Sequence, residues 1–380
     1  MNEWAILAAF LASGILVAWL RRPRPSVGQG RGLDEAYLKG LNLLLNDQQD
    51  EAIDLFVRVL EVNHETVEIH LALGKLFRQR GEVERAIRLH QNLIARPNLS
   101  QEQKEQALYE LGRDYLCAGL LDRAERLFSE LASSRRLGTE ARRQLLGVYE
   151  EEKEWEQAIE VARRLEKGRY VKAIAHYHCE LAEKARACGE MARAQRHLRR
   201  ALGSDARCVR ATLLFAELEL ERARPRKAVP HLMRVRDQDP DYLPLVVEPL
   251  MSCYRQLGEP RKLADQLETL FAATHGYRAL AAWLTLLRER VGDQSALEQL
   301  RERLRERPSV RALLHYLDLE PAEGCAGVKE ELTHVLGRLA EPLERYLCEG
   351  CGLEAGHLYW RCPSCKGWGL MKPVEESCGG

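Results

Sequence analysis

Residues 74–86 read Gly74-Lys75-Leu76-Phe77-Arg78-Gln79-Arg80-Gly81-Glu82-Val83-Glu84-Arg85-Ala86. An aromatic residue follows Gly74 by three positions, and Arg80-Gly81 is a turn signal before the next apolar stretch. The arrangement recurs. A small residue in an apolar, helical setting returns at Ala52, Ala86, Ala124, Ala158, Ala194 and Ala228, at separations of 34, 38, 34, 36 and 34. Twelve residues before each stand Gly40, Gly74, Gly112, Leu146, Ala182 and Ala216. Leu43, Phe77, Tyr115 and Tyr149 lie three after the first mark, and Phe56, Phe128, Leu198 and Leu232 four after the second. Further turn signals fall at Asn46-Asp47, Ala118-Gly119 and Cys188-Gly189.

A period near 34 with this pattern resembles the tetratricopeptide repeat. Each unit is read as two antiparallel helices, with the small residues where the elements approach most closely. One hairpin cannot bury its own apolar face, so hairpins stack into a superhelix with an extended binding surface. Six units are clear. A seventh is expected around Leu250, Tyr254 and Leu263, with its turn at Leu257-Gly258-Glu259-Pro260, and an eighth over 277–307. Residues 309–340 add one or two further helices.

Composition agrees. The 380 residues carry 57 basic and 57 acidic side chains, a zero net charge that gives no general attraction for polyanions. Ala, Leu, Glu and Arg dominate and aromatics are only 6%, a helical composition. Eleven cysteines, an odd number spread over a long chain, do not suit a secreted disulfide scaffold.

Trp4 to Leu20 read WAILAAFLASGILVAWL without a charge. At about 1.5 Å per residue this run spans roughly 25 Å, enough for a short transmembrane helix. Trp4 and Trp19 lie near its ends, Glu3 precedes it, and Arg21, Arg22 and Arg24 follow it. The trailing arginines place the rest of the chain in the cytoplasm. A cleaved secretory signal is the rival reading. It would carry its positive charge before the apolar run, and Ala18-Trp19-Leu20-Arg21 is a poor cleavage site. The expected organisation is an anchor at 1–20, a linker at 21–32, a repeat array at 33–307, terminal helices at 308–343 and a small metal-binding domain at 344–376.

That last domain rests on Cys348-Glu349-Gly350-Cys351-Gly352 and Cys362-Pro363-Ser364-Cys365. Two C-x2-C knuckles aim four thiolates at one point, a tetrahedral S4 site. Gly352 supplies the permissive backbone one knuckle needs. Gly356–Trp360 is expected to form a short strand, with Trp368 and Tyr346 giving a small apolar core. About 33 residues need a metal or disulfides to fold, and a reducing cytoplasm disfavours disulfides. The spacing suits zinc or iron, with zinc favoured as a structural ion. His357 reads as a strand or loop residue. Cys117, Cys179, Cys188, Cys208, Cys253 and Cys325 read as small buried hydrophobes, and Cys378 as a tail residue without a visible partner. The acidic run Glu150, Glu151, Glu152, Glu154 and Glu156 and the basic group Arg193, Arg196, Arg199 and Arg200 read as solvated helix faces. The alternative for the basic group is a docking patch for an acidic partner or lipid headgroups.

Anchor, repeats and knuckle pair, in that order, resemble the lipopolysaccharide assembly protein B family. Leu45–Asp50, Leu76–Val83, Leu111–Tyr115 and Leu358–Cys365 carry the local likeness. The resemblance implies an all-α fold, a tetratricopeptide-repeat superhelix with an N-terminal transmembrane helix and a small C-terminal rubredoxin-like zinc ribbon. It implies metal ligation by Cys348, Cys351, Cys362 and Cys365. It implies a bacterial inner-membrane, single-pass adaptor, not an enzyme, that brings the lipid A pathway deacetylase to the FtsH membrane protease and communicates with a membrane sensor of lipopolysaccharide. A homodimer is compatible with it. One departure from rubredoxin itself, where a glycine follows each knuckle and the pairs lie much farther apart, is that Lys366 follows Cys365, which favours a structural ribbon over electron transfer. Alternatives are a general scaffold for envelope enzymes and an iron-dependent electron-transfer protein. A nucleic-acid-binding ribbon fits poorly with the mixed charges of Glu349, Glu354, Arg361 and Lys366. No Walker loop, nucleophile elbow or H-E-x-x-H motif is present.

Overall fold

The computed structural model describes residues 67–374 except 167, 260, 264, 268–276, 307–309, 320–325 and 340–344, together with Lys39 and Leu43. The expected anchor, the linker, the Ala52 unit apart from Lys39 and Leu43, Cys325 and Cys378 lie outside the described residues. Among the described residues no helix is long and apolar enough to cross a membrane.

Among the described residues these helices run in chain order: α1 (Val67–Gln79), α2 (Val83–Ile94), α3 (Gln101–Cys117), α4 (Leu121–Leu131), α5 (Gly138–Glu152), α6 (Trp155–Arg164), α7 (Val171–Ala187), α8 (Met191–Ser204), α9 (Val209–Glu221), α10 (Pro225–Gln238), α11 (Val247–Leu257), α12 (Tyr277–Val291), α13 (Asp293–Glu306), α14 (Val310–Leu319) and α15 (Ala326–Leu339). A 3-10 turn, Pro240–Leu245, joins α10 to α11. Helices pair as the repeat predicts, α1 with α2, α3 with α4, α7 with α8 and α9 with α10. Towards the carboxy end α12 packs on α13 and α14 on α15, so the helices expected beyond the repeats form one more pair. The fold is mostly helical, of stacked tetratricopeptide type, and ends in a three-stranded sheet.

The hairpin turns share one backbone device. Gly81, Gly119, Gly189 and Gly258 are left-handed, with φ of 80°, 71°, 76° and 66°. The next amide then donates to the carbonyl five residues back, as in Glu82 to Phe77, Leu120 to Tyr115, Glu190 to Ala185 and Glu259 to Tyr254. This is the Schellman closure, which satisfies carbonyls orphaned at the helix end. Lys153 and Ala223 hold the same position without glycine, at φ 58° and 53°. Elsewhere, Ser100 and Gln103 close a reciprocal capping box on α3.

The repeat marks are packing positions. Ala86, Ala124, Ala158, Ala194 and Ala228 are fully buried. A Cβ on Gly74 would lie 2.4 Å from the His90 ring, and one on Gly112 2.7 Å from Phe128. The close approach is therefore between the first helix's backbone and a ring from the second, which only glycine admits.

The molecule divides into two compact units, one ending at Val148 and one beginning at Tyr149, so the C-terminal sheet belongs with the second half of the array. In the first unit the buried Arg78 guanidinium reaches Glu110 and Asp114, each at 2.6 Å. The Asp114 carboxylate also meets His90 Nδ1 at 2.5 Å. Buried charges are tolerated there because each is paired and hydrogen-bonded.

Candidate metal centre

Strand β1 (Arg345–Cys348) is central in the sheet, antiparallel to both β2 (Glu354–Ala355) and β3 (Met371–Val374). Each knuckle is a tight turn of the same construction. Gly352 N–H donates to Cys348 O at 2.8 Å, and Lys366 N–H to Cys362 O at 2.9 Å. Cys348 N–H then donates to Leu353 O, and Cys362 N–H to Gly367 O, both at 2.9 Å. The two knuckles thus repeat the same backbone hydrogen bonds. The second places Lys366 at φ 60° where the first has Gly352 at φ 73°.

All four Sγ atoms lie within 4.8 Å of one another. Cys348 and Cys365 are 3.7 Å apart at sulfur, as are Cys351 and Cys362. A tetrahedral ion with metal–sulfur bonds of about 2.3 Å requires sulfurs roughly 3.8 Å apart. The donor set and its spacing fit one four-coordinate metal ion. The Leu353 N–H, aimed at the Cys351 sulfur, pushes that thiol down to about 6, whereas Cys365 has the same help from the Gly367 N–H yet is pushed up to about 11 by burial and the crowded neighbouring sulfurs, so the four thiols do not ionise together without a cation among them. His357 is exposed.

Gly356–Trp360, expected as a strand, is not one. The second strand is the two residues before it, and Arg361 makes a single bridge with Trp368. The cause is tertiary. Trp360 is drawn onto the array, stacking on Tyr242 at 5.5 Å between centroids. Trp368 likewise leaves the ribbon's own core, formed by Tyr346, Cys348, Cys362 and Met371. Its ring stacks on His176 at 5.3 Å and meets Trp155 and Tyr177 edge-on.

Polar contacts fix this docking. The Glu150 carboxylate accepts from Tyr177 OH at 2.6 Å, Trp368 Nε1 at 2.8 Å and Arg361 at 3.1 Å. Glu151 also accepts from Arg361, at 3.1 Å. Tyr242 OH donates to Met371 O at 2.8 Å. Lys372 Nζ sits among Asp241, Glu349 and Asp239 at 2.7, 3.1 and 3.2 Å. Burial alone would lower the Lys372 ammonium, and these carboxylates more than reverse it. Burial, then the Glu150 charge, raises the Tyr177 phenol, so it stays a donor. Burial, then Arg210 and Lys172, push His176 down to about 3, leaving a neutral ring to stack on Trp368. A Cβ on Gly369 would come within 2.7 Å of that ring.

The four cysteines expected as ligands are thus brought together. Cys179, Cys208 and Cys253 are buried as expected, whereas Cys117 and Cys188 are exposed, because each stands where its helix gives way to the hairpin turn. The ribbon-holding residues Glu150, Glu151, Tyr177, His176 and Tyr242 had no sequence signal. Glu150 and Glu151 read as part of a solvated acidic run, and nothing local tied them to Arg361, 211 and 210 positions away. The only available hint was four aromatics, Trp155, Tyr177, Trp360 and Trp368, in a chain where aromatics are scarce.

Comparison with known proteins follows the same division. A tetratricopeptide repeat family model matches residues 37–98 and 109–170, and a rubredoxin metal binding domain model matches 346–373. Lipopolysaccharide assembly protein B of Escherichia coli (strain K12) is 36% identical over 350 residues, covering 90% of each chain. That of Haemophilus influenzae is 33% identical over 361 residues, again covering 90% of each. Among solved structures, MamA from Desulfovibrio magneticus is 14% identical, covering 47% of this chain and 97% of that one at a TM-score of 0.30, too slight a likeness to bear on function. By whole-chain identity and by the order of its repeats and metal-binding ribbon, the chain belongs to the lipopolysaccharide assembly protein B family.

Proposed function

We propose that the protein is an inner-membrane-anchored adaptor of lipopolysaccharide biosynthesis, with residues 1–20 as the anchor and the bulk of the chain in the cytoplasm. It presents the lipid A pathway deacetylase to an FtsH-type membrane protease and answers to a membrane lipopolysaccharide sensor. The observation that carries this reading is the ribbon's seat on the array. Cys348, Cys351, Cys362 and Cys365 would fill the shell of a four-coordinate ion and leave it no position for substrate. The ribbon's two indoles are spent on docking. Such a centre shapes a surface, as repeat arrays do. Cys348, Cys351, Cys362 and Cys365 hold one ion, and zinc is the reading that suits a purely structural role.

Site-specific photocrosslinking in membranes tests this, with the probe placed along the array and on the ribbon. Adducts with the deacetylase and the protease are expected. Adducts with other envelope enzymes alone would replace the adaptor by a general scaffold. A visible absorbance spectrum tests the metal: a colourless protein holding one zinc is expected, and an iron–thiolate band would overturn the assignment.

A further inference from the structure

Two thiols lie on the array side of the ribbon's seat, outside the metal centre. Cys179 is on α7, which also carries His176 and Tyr177, two residues that meet the ribbon's Trp368. Cys208 stands at the start of α9, with φ −68° and ψ 94°. Both are buried and both are free. Helices α7 and α9 pack together, and across that contact the two cysteine side chains interact directly. Cys253, also buried, is the contrast: burial is the main influence on its thiol and pushes it up.

The pair is not symmetric. Burial, then the Cys208 sulfur, raise the Cys179 thiol, so it stays protonated. Cys208 goes the other way. Contact with the Cys179 thiol lowers it and outweighs burial, and the Ala211 N–H in the first turn of α9 adds to this. The Arg210 guanidinium, itself buried, favours the thiolate at both sulfurs. A sulfur at a helix N-terminus beside an arginine is the setting that makes a cysteine nucleophilic. Cys208 also has an entry path. It lines a cavity of about 310 Å³ between the ribbon and α7, α9 and α10, whose lining includes the exposed Lys172. A water-sized solute needs only about 10–15 Å³ of such space. A thiolate, a resolving thiol beside it and a route for a small oxidant are the parts of a redox-sensing cysteine pair.

We infer that Cys179 and Cys208 are a redox pair, in which hydrogen peroxide oxidises Cys208 and Cys179 then closes a reversible disulfide with it. The Cys208 thiolate attacks one peroxide oxygen, the O–O bond breaks, and the departing hydroxide takes up a proton as water. Cys208 is left as a sulfenic acid. The Cys179 sulfur attacks the Cys208 sulfur, the S–O bond breaks, and the second hydroxide leaves with the Cys179 proton as water. In sum two thiols give up two electrons and two protons, and one peroxide becomes two waters. A dithiol reductant restores the pair by exchange, so in a reducing compartment the bond is transient. The bond ties α9 to α7 next to His176 and Tyr177, in the wall on which the ribbon rests. The inference is independent of the adaptor reading.

The test is peptide mapping of the metal-loaded full chain in detergent, treated briefly with hydrogen peroxide, alkylated, and digested without reductant. A peptide joining Cys179 to Cys208, two hydrogens lighter than its thiol parts, is expected, and dithiothreitol should dissolve it. Cys208 is expected to be oxidised at least about tenfold faster than Cys253, which lacks the neighbours that favour a thiolate. In Cys179→Ala the sulfenic acid has no thiol to resolve it, so dimedone should trap it on Cys208. In Cys208→Ala, Cys179 should stay reduced over the same interval. Should either variant fail to fold, the wild-type cross-link and the rate comparison decide. Absence of the cross-link while the exposed Cys117 and Cys188 are oxidised overturns the inference. Oxidation of Cys208 no faster than that of Cys253, or a dimedone adduct on Cys179 in Cys208→Ala, overturns it as well.

Discussion

Replacing Glu150 should loosen the ribbon from the array more than any other single change outside the cysteines. Its carboxylate, 15% exposed, accepts from the Tyr177 hydroxyl, the Trp368 indole and Arg361. A hydrogen bond to a charged group contributes about 1.5–3 kcal/mol. Glu150→Ala removes three and strands the Tyr177 hydroxyl on a side chain that is fully buried. Arg361 keeps Glu151, and at 20% exposure it recovers some hydration. The net cost is then about 3–5 kcal/mol. Glu150→Gln keeps an acceptor of the same shape and should cost about 1–2 kcal/mol. The readout is metal release to a chromogenic chelator, which samples the undocked ribbon. A cost of 4 kcal/mol corresponds to about a thousandfold faster release for the alanine variant. Release within threefold of wild type would refute the reasoning, because it would mean that the ribbon opens without leaving its seat.

Other substitutions probe the local physics. Lys366→Gly relieves a left-handed lysine in the second knuckle and should stabilise the ribbon by about 1 kcal/mol, read as slower metal release. Gly74→Ala drives a methyl into the His90 ring and should cost about 1–3 kcal/mol, while Gly147→Ala, which meets nothing within 4 Å, should be neutral or stabilising; denaturant midpoints compare them. His176 is held neutral down to about 3, whereas an unfolded imidazole protonates near 6.5. Its contribution is therefore complete above pH 6.5 and is lost as pH falls towards 3, about 2 kcal/mol by pH 5. Subtracting the acid limb of a His176→Gln variant from that of wild type should isolate a one-proton slope, and identical limbs would contradict it.

What the sequence discloses depends on how local the cause is. The repeat is legible because steric demands at Gly74, Gly112 and the five described alanines recur at fixed spacing. The knuckles are legible because a metal's geometry dictates C-x2-C and its turn. The docking of ribbon on array is not, since it joins Glu150 to Arg361 and Tyr242 to Met371 across more than a hundred residues. That long-range contact also accounts for Gly356–Trp360 not being a strand: the half-buried Trp360 ring stacks on Tyr242 of the array. Lys153 and Ala223 hide two turns for a related reason. The Schellman closure tolerates a strained residue once packing on either side fixes the hairpin.

The most direct test of the central claim is the lifetime of the lipid A pathway deacetylase after translation is blocked, in cells whose only copy of this protein carries Cys362→Ser and Cys365→Ser. The account predicts that the variant, expressed to wild-type level, loses the metal and the ribbon with it, and that the deacetylase then persists and accumulates. A deacetylase that decays at the wild-type rate in those cells would contradict it.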